Sequence, residues 1–406
     1  MVKKITFILI CLIFAFSSFN SVNAKESPPK VSADGVILMD GKTGEIIYSK
    51  NPDKPYPPAS TTKIMTALLT LEKTNLDDIV TIGKNPPNAD GSKIYLFKDE
   101  KIKVKDLLYS LLLASANDSA EALAEHVSGS KENFAKEMNK RAKELGAKNT
   151  NFENPSGLYG NNHRTTARDL SLILKELIKH PEFQKIAKTL SYKIPKTNKS
   201  KEARPLWNEN RLMQKYSKYY YKDIIGGKTG YTTESKHSYV AAANRDNQTL
   251  ITVLLHDKKK TFFPDAIKLL DYGYKNYELK PLYKKGDYIT TYNSDKLEVP
   301  LYAEKDFYYL KDKSSNSKPN YTINNKDLKN VSFKKGDNIL TASIVYNNKN
   351  IGTLNLISGK DHELIKVFNL YINKRYLTKK YVIPIASAIS AITLLLIVLI
   401  IKKKKN

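Results

Sequence analysis

Short apolar runs broken by glycine-bearing turns open the readable part of the chain. Gly35-Val36-Ile37-Leu38-Met39 and Glu45-Ile46-Ile47-Tyr48 flank Asp40-Gly41-Lys42-Thr43-Gly44, a pattern that predicts an antiparallel hairpin. Pro57-Pro58-Ala59-Ser60-Thr61-Thr62-Lys63 follows, and from Thr61 to about Lys73 the apolar positions recur at helical spacing. Two prolines cannot continue a helix and a serine can cap one, so a helix is predicted to begin at Ser60. Lys105 to Leu113 is a second apolar helical stretch, interrupted by Ser115-Ala116-Asn117 and resumed from Asp118 to Val127. Ser130 is placed to cap a helix that keeps Phe134, Met138 and Leu145 on one face and stops at Gly146, and Thr166-Ala167-Arg168-Asp169 is a capping box opening another through about Lys179.

The stretch 185–221 is polar and basic, holds the only tryptophan, Trp207, and predicts extended segments and loops. Strands are predicted over Asp223 to Thr232, Ser238 to Ala243 and Thr249 to Leu255, then a helix from Phe263 to Tyr277. Strands at both ends with helices between them predict an α+β domain over 32–277, one antiparallel sheet closed by the start and finish of the segment around an inserted helical cluster. Beyond Leu279 the runs shorten and alternate: Tyr288 to Tyr292, Val299 to Tyr302, Phe307 to Leu310, Leu340 to Val345 and Gly352 to Ile357. They predict a small all-β domain over 279–373, in which no residue suggests chemistry.

The two ends add a location. Lys3 and Lys4, the apolar run Ile5 to Phe19 and the small-residue site Val22-Asn23-Ala24 predict a secretory signal over 1–24. Tyr381 to Ile401 is 21 residues without a charge, followed by Lys402-Lys403-Lys404-Lys405. That length spans a hydrocarbon core of about 30 Å, so a C-terminal transmembrane helix over 381–401 is expected, with 402–406 as a cytoplasmic tail and the rest of the chain outside. The only cysteine, Cys11, lies in the signal, so the exported part has no disulfide, thiol nucleophile or cysteine metal site. Six histidines without an H-x-x-x-H pair argue against zinc, and no metal or other cofactor is implied. The net charge is +26; removing Lys3, Lys4 and the four tail lysines still leaves +20. An exported protein has little access to nucleic acid, and the basic surface suits an anionic cell envelope.

Three polar motifs carry the chemistry. Residues three apart on a helix share a face, so Ser60 and Lys63 can meet. A serine hydroxyl is a weak nucleophile until a base removes its proton, and burial beside another cation lowers an amine's pKa enough for that task. S-x-x-K alone more often describes a capped helix with a surface lysine. Ser115 and Asn117 alone read as caps, and Lys228 alone as a strand-edge charge. What changes their meaning is the ordered set Ser60-x-x-Lys63, Ser115-Ala116-Asn117 and Lys228-Thr229-Gly230. Lys42-Thr43-Gly44 repeats the third motif inside the predicted hairpin turn and is given no role.

With their neighbours Pro58-Ala59, Asp118, Gly227 and Tyr231-Thr232, these motifs resemble the serine-type, low-molecular-mass penicillin-binding D-alanyl-D-alanine carboxypeptidases. Asn154-x-x-Gly157-Leu158, His163 and Thr166-Ala167-Arg168-Asp169-Leu170 extend the likeness, which covers roughly Ser32 to Tyr277. The resemblance implies a β-lactamase/transpeptidase-like sheet with a helical cluster, and membrane attachment after the β-domain. It implies a catalytic set of Ser60 as nucleophile, Lys63 as its base and Ser115 as proton relay. Asn117 would bind the substrate amide and hold Lys63; Lys228 and Thr229 would take the terminal carboxylate; Gly230 would leave access open; and the Ser60 and Tyr231 amides would form the oxyanion hole. The implied partners are peptidoglycan stem peptides, β-lactam antibiotics and the cytoplasmic membrane. His163 is read as structural, and Glu153 is left out of the site although class A β-lactamases carry a deacylating glutamate in that loop. Tyr159 departs from the acidic residue the family often places after Gly157-Leu158. A β-lactamase and a non-catalytic wall-binding or β-lactam-sensing module remain as alternatives.

Overall fold

The computed structural model describes residues 27–294, 297–324, 326–364, 387–395 and 397. The expected signal, 1–24, and most of the expected span, 381–401, lie outside the described residues. Among the described residues no helix is long and apolar enough to cross a membrane. By its contacts the chain divides into two units, the first running to Lys284 and adding Asp306–Asn320 and Ile344–Gly352, the second formed by the remainder.

The first unit is built on a five-stranded sheet in the order Ile46–Lys50, Gly35–Asp40, Gln248–Asp257, Lys236–Arg245, Ile224–Thr232. Every neighbouring pair is antiparallel. The predicted hairpin is present, and its turn is tied by Asp40, whose Oδ1 accepts from the amides of Lys42 (3.0 Å) and Thr43 (2.7 Å) and from Thr43 Oγ1 (2.9 Å). Those bonds make Lys42-Thr43-Gly44 a turn.

Side chains alternate across a strand, and this sheet is covered on both faces. Ile37, Met39, Ile251 and Val253 join a core with the helices Lys63–Lys73, Val104–Leu113, Asn117–Ser128, Lys131–Glu144 and Ala167–Leu177. Val36, Leu38, Leu250 and Leu254 join a second core with helix Phe262–Asn276. The helix starts follow their caps: Ser130 accepts from the amide of Asn133 (3.1 Å) and Thr166 from that of Asp169 (3.1 Å). The stretch 185–221 contains the expected extended segments, paired as a small hairpin, Ser191–Ile194 with Arg204–Trp207, but begins inside a short helix, Pro181–Ala187, that the sequence reading did not have. The strand at Phe307–Asp312 pairs with Tyr277–Tyr283 as a separate two-stranded sheet.

The second sheet runs Tyr288–Ser294, Leu297–Ala303, Lys349–Ser358, Asn338–Tyr346, Asn320–Asn324. Leu297, Val299, Leu301 and Ala303 are buried while the residues between them are not, the period-two pattern of a sheet with one packed face.

Adjacent residues on opposite faces test the two-sided packing. Ile37→Ala and Leu38→Ala should each lower unfolding free energy by about 2–5 kcal/mol in urea titrations; a silent variant at either position would show that its face is not packed.

Candidate active site

The turn bearing Ser60 is not a capped α-helix start. Ala59–Thr62 forms one 3-10 turn, the α-helix begins at Lys63, and Pro58 sits in the cap position without a side-chain bond. Ala59 has φ +50°, a left-handed conformation that turns the chain sharply after the prolines. The Ser60 hydroxyl is thereby released from capping, and its partner is Lys63 Nζ at 3.0 Å.

Lys63 is fully buried and its amine has two other partners, Asn117 Oδ1 at 2.6 Å and the carbonyl of Ser156 at 2.7 Å. Asn117 Nδ2 donates to the Asp90 carbonyl at 2.6 Å, which fixes the orientation of the amide so that its oxygen faces the lysine. Both of those partners can only accept. A neutral amine therefore spends its two N–H groups on them and aims its lone pair at Ser60, where it can accept the hydroxyl proton. Burial, then the neighbouring Lys228 cation, push the Lys63 pKa well below the ordinary lysine value, against a smaller pull from Glu209 and Asp118.

The loop that supplies the Ser156 carbonyl is held from several sides. Asn154 Oδ1 accepts from the amides of Ser156 (3.2 Å) and Gly157 (2.8 Å), and Thr66 Oγ1 donates to the Pro155 carbonyl (2.6 Å). Gly157 has φ +89°, and a Cβ there would fall 1.9 Å from the Ala59 carbonyl oxygen, so only glycine fits between loop and turn. His163 ties the same pieces together: the amide of Glu153 donates to Nδ1 (3.0 Å), which leaves Nε2–H to donate to Thr62 Oγ1 (2.9 Å). Burial, and after it the Arg164 cation, lower its pKa to about 4, so the ring is neutral and structural.

Ser115 has φ +58° and precedes helix Asn117–Ser128, whose cap residue is Ala116; neither Ser115 nor Asn117 acts as a cap. Strand Ile224–Thr232 passes close to the Ser60 turn. A Cβ on Gly230 would lie 2.8 Å from the Ser60 amide nitrogen and 3.0 Å from that of Thr61, so this glycine brings the strand against the turn's amides rather than merely clearing access. Ser60, Ser115, Thr229, Gly230 and Tyr231 line one cavity of about 690 Å³. Lys63, Asn117 and Lys228 are buried and do not line it. Lys228 Nζ donates to the Thr229 carbonyl at 2.9 Å, and burial lowers its pKa to about 8. Glu153 is exposed and absent from the cavity wall. Sequence reasoning missed the Ser156 carbonyl, a backbone atom with no side-chain signature, Glu209, Arg211 and Lys260, which reach the cavity wall from loops, and His237, the partner of Tyr231 on the next strand.

Residues 22–259 match the sequence profile of the D-alanyl-D-alanine carboxypeptidase family. The chain belongs to that family. Residues 277–364 match a second profile, penicillin-binding protein 5, C-terminal domain. The carboxypeptidase chain is 36% identical to D-alanyl-D-alanine carboxypeptidase DacF of Bacillus subtilis over 68% of its length and 72% of the relative's. It is 32% identical to DacA of Haemophilus influenzae over 88% and 93% of the two chains. Among solved structures, penicillin binding protein 5 from Haemophilus influenzae superposes with a TM-score of 0.71 at 32% identity, covering 83% of this chain and 99% of that one.

The His163 geometry has a pH signature. Its folded-state pKa lies below the ordinary 6.5, so the stability that the neutral ring contributes is complete above pH 6.5 and is lost as pH falls toward about 4. Glutamine retains a donor and an acceptor without titrating. Urea titrations of His163→Gln should show a shallower loss of stability between those pH values than the parent protein; parallel curves would contradict a neutral buried ring.

Proposed function

We propose that this carboxypeptidase removes the terminal D-alanine from peptidoglycan stem pentapeptides through an acyl-enzyme on Ser60. The observation that carries the reading is the three-way bonding of Lys63 Nζ, which leaves the serine proton as the one the amine can take. Lys63 accepts that proton as Ser60 Oγ attacks the carbonyl between the two D-alanines. Ser115 relays a proton to the departing amine as the C–N bond breaks, and water then hydrolyses the ester, restoring the hydroxyl. The Ser60 and Tyr231 amides receive the oxyanion at the point where strand and turn meet. Lys228 and Thr229 mark the carboxylate position, and for that role Lys228 must stay protonated while Lys63 is neutral. Asn117 holds Lys63, and contact with the substrate backbone requires its Nδ2 to leave the Asp90 carbonyl. The strained amide of a β-lactam meets the same oxygen, and the absence of Glu153 from the cavity wall favours slow release over β-lactamase turnover.

The protein is placed by this reading outside the cytoplasmic membrane, exported by 1–24 and anchored through 381–401. Residues 387–395 support the anchor: they are helical, and Ile389, Ile392, Leu394 and Leu395 are each more than half exposed. Such apolar surface suits lipid.

Mass spectrometry of the exported chain after benzylpenicillin should place one adduct on the peptide containing Ser60. Ser60→Ala should abolish both that adduct and D-alanine release from diacetyl-Lys-D-Ala-D-Ala. Labelling that survives Ser60→Ala, or fast turnover of a chromogenic cephalosporin by the parent protein, would overturn the assignment.

A further inference from the structure

The cavity that holds Ser60 shares two of its wall residues, Arg211 and Tyr219, with a neighbouring groove of about 660 Å³. The groove is walled by Leu190, Trp207, Gln214 and Tyr216. Its apolar side chains are bare: Trp207 is 66% exposed, Tyr216 fully exposed, and Leu190 44%. Large apolar groups gathered at one surface mark a place where something docks.

The groove is also preformed. Trp207 ends a strand paired with Ser191–Ile194, its partner across the ladder being Ser191. Asn208 Nδ2 donates to the carbonyls of Ala187 and Thr189, both at 2.9 Å, and Gln214 Nε2 donates to the Asn208 carbonyl at 2.7 Å. These bonds fix the floor beneath the rings before any ligand arrives. A run of ring contacts joins the two cavities, from Tyr231 to His237 (4.5 Å), Phe262 (5.6 Å), Phe263 (4.4 Å) and Tyr219 (5.6 Å). The aromatic wall therefore continues from the strand beside Ser60 into the groove.

We propose that this groove binds the glycan chain to which the stem peptide is attached, with N-acetylated hexosamine rings laid against Trp207 and Tyr216. The proposal rests on the reading of the active site given above. A sugar ring offers an apolar C–H face to an aromatic side chain while its hydroxyl and acetamido edges reach polar rims, here Arg211 and Gln214. Continuity with the cavity selects this occupant over an unattached one. A saccharide covalently linked to the peptide at Ser60 is delivered at high effective concentration, so even weak stacking registers in turnover.

The test compares two substrates in the full chain. Trp207→Ala with Tyr216→Ser should leave kcat/KM for diacetyl-Lys-D-Ala-D-Ala within twofold of the parent value, and lower kcat/KM for soluble, uncross-linked glycan-linked pentapeptide chains about tenfold, mainly through KM. Chitotetraose should bind the parent protein and not the double variant. Tyr216→Ser alone, at a fully exposed position, guards against misfolding and should give part of the effect. Unchanged turnover of both substrates, an equal fall in both, or affinity for anionic vesicles in place of chitotetraose would each overturn the proposal. If the parent protein fails to release D-alanine from the small peptide, the active-site reading itself fails, whatever chitotetraose does.

Discussion

The first unit depends on a single nitrogen. Lys63 Nζ is bonded at once to the hydroxyl of its own turn, to Asn117 at the start of one helix and to the Ser156 carbonyl of a loop some 90 residues later in sequence. A buried amine tolerates no unmade bonds, so each segment is held by the need to satisfy it. The hydrophobic cores carry the gross stability, but they do not specify where those segments stop relative to one another. Gly157 and Gly230 complete the arrangement by letting backbone approach the Ser60 turn from two directions.

Burial sets the two site lysines to different tasks. Desolvation lowers both pKa values and Glu209 opposes the shift at both, but Lys63 alone is pushed further down by the neighbouring Lys228 cation. The Lys228 charge thus favours loss of the Lys63 proton over its own. Two cations packed close together in low dielectric would otherwise repel, and yielding one proton is the cheaper outcome. The charge difference that chemistry needs, one base and one anchor for a carboxylate, thus follows from the cost of burying both.

Much of this was legible in the residues. The hairpin and the strand Ile224–Thr232 are written in short apolar runs with glycines, and the caps at Ser130 and Thr166 in short polar side chains. Ser60 and Lys63 at three residues' separation do meet, though in a 3-10 turn followed by an α-helix, because the left-handed Ala59 shifts the helix start beyond the proline pair. What could not be read was carried by backbone or by distant sequence. The Ser156 carbonyl has no signature, and Glu209 reaches the cavity from a loop where two buried asparagines bond the surrounding backbone. Strand Asn320–Asn324 went unrecognised because it is short, ends in asparagine on both sides and is largely exposed. The pairing of Phe307–Asp312 with Tyr277–Tyr283 depends on a partner that contains Pro281 and a bulge, both of which mask a strand in sequence.

The protonation state of Lys63 is the central claim, and the pH dependence of Ser60 acylation by benzylpenicillin measures it directly. The second-order rate constant in the parent protein should rise through an apparent pKa well below 10.5, fall again above about pH 8 as Lys228 loses its proton, and show no rising limb in Lys63→Arg. A rise only near pH 10.5, or the same rising limb in Lys63→Arg, would contradict a neutral Lys63 as the base.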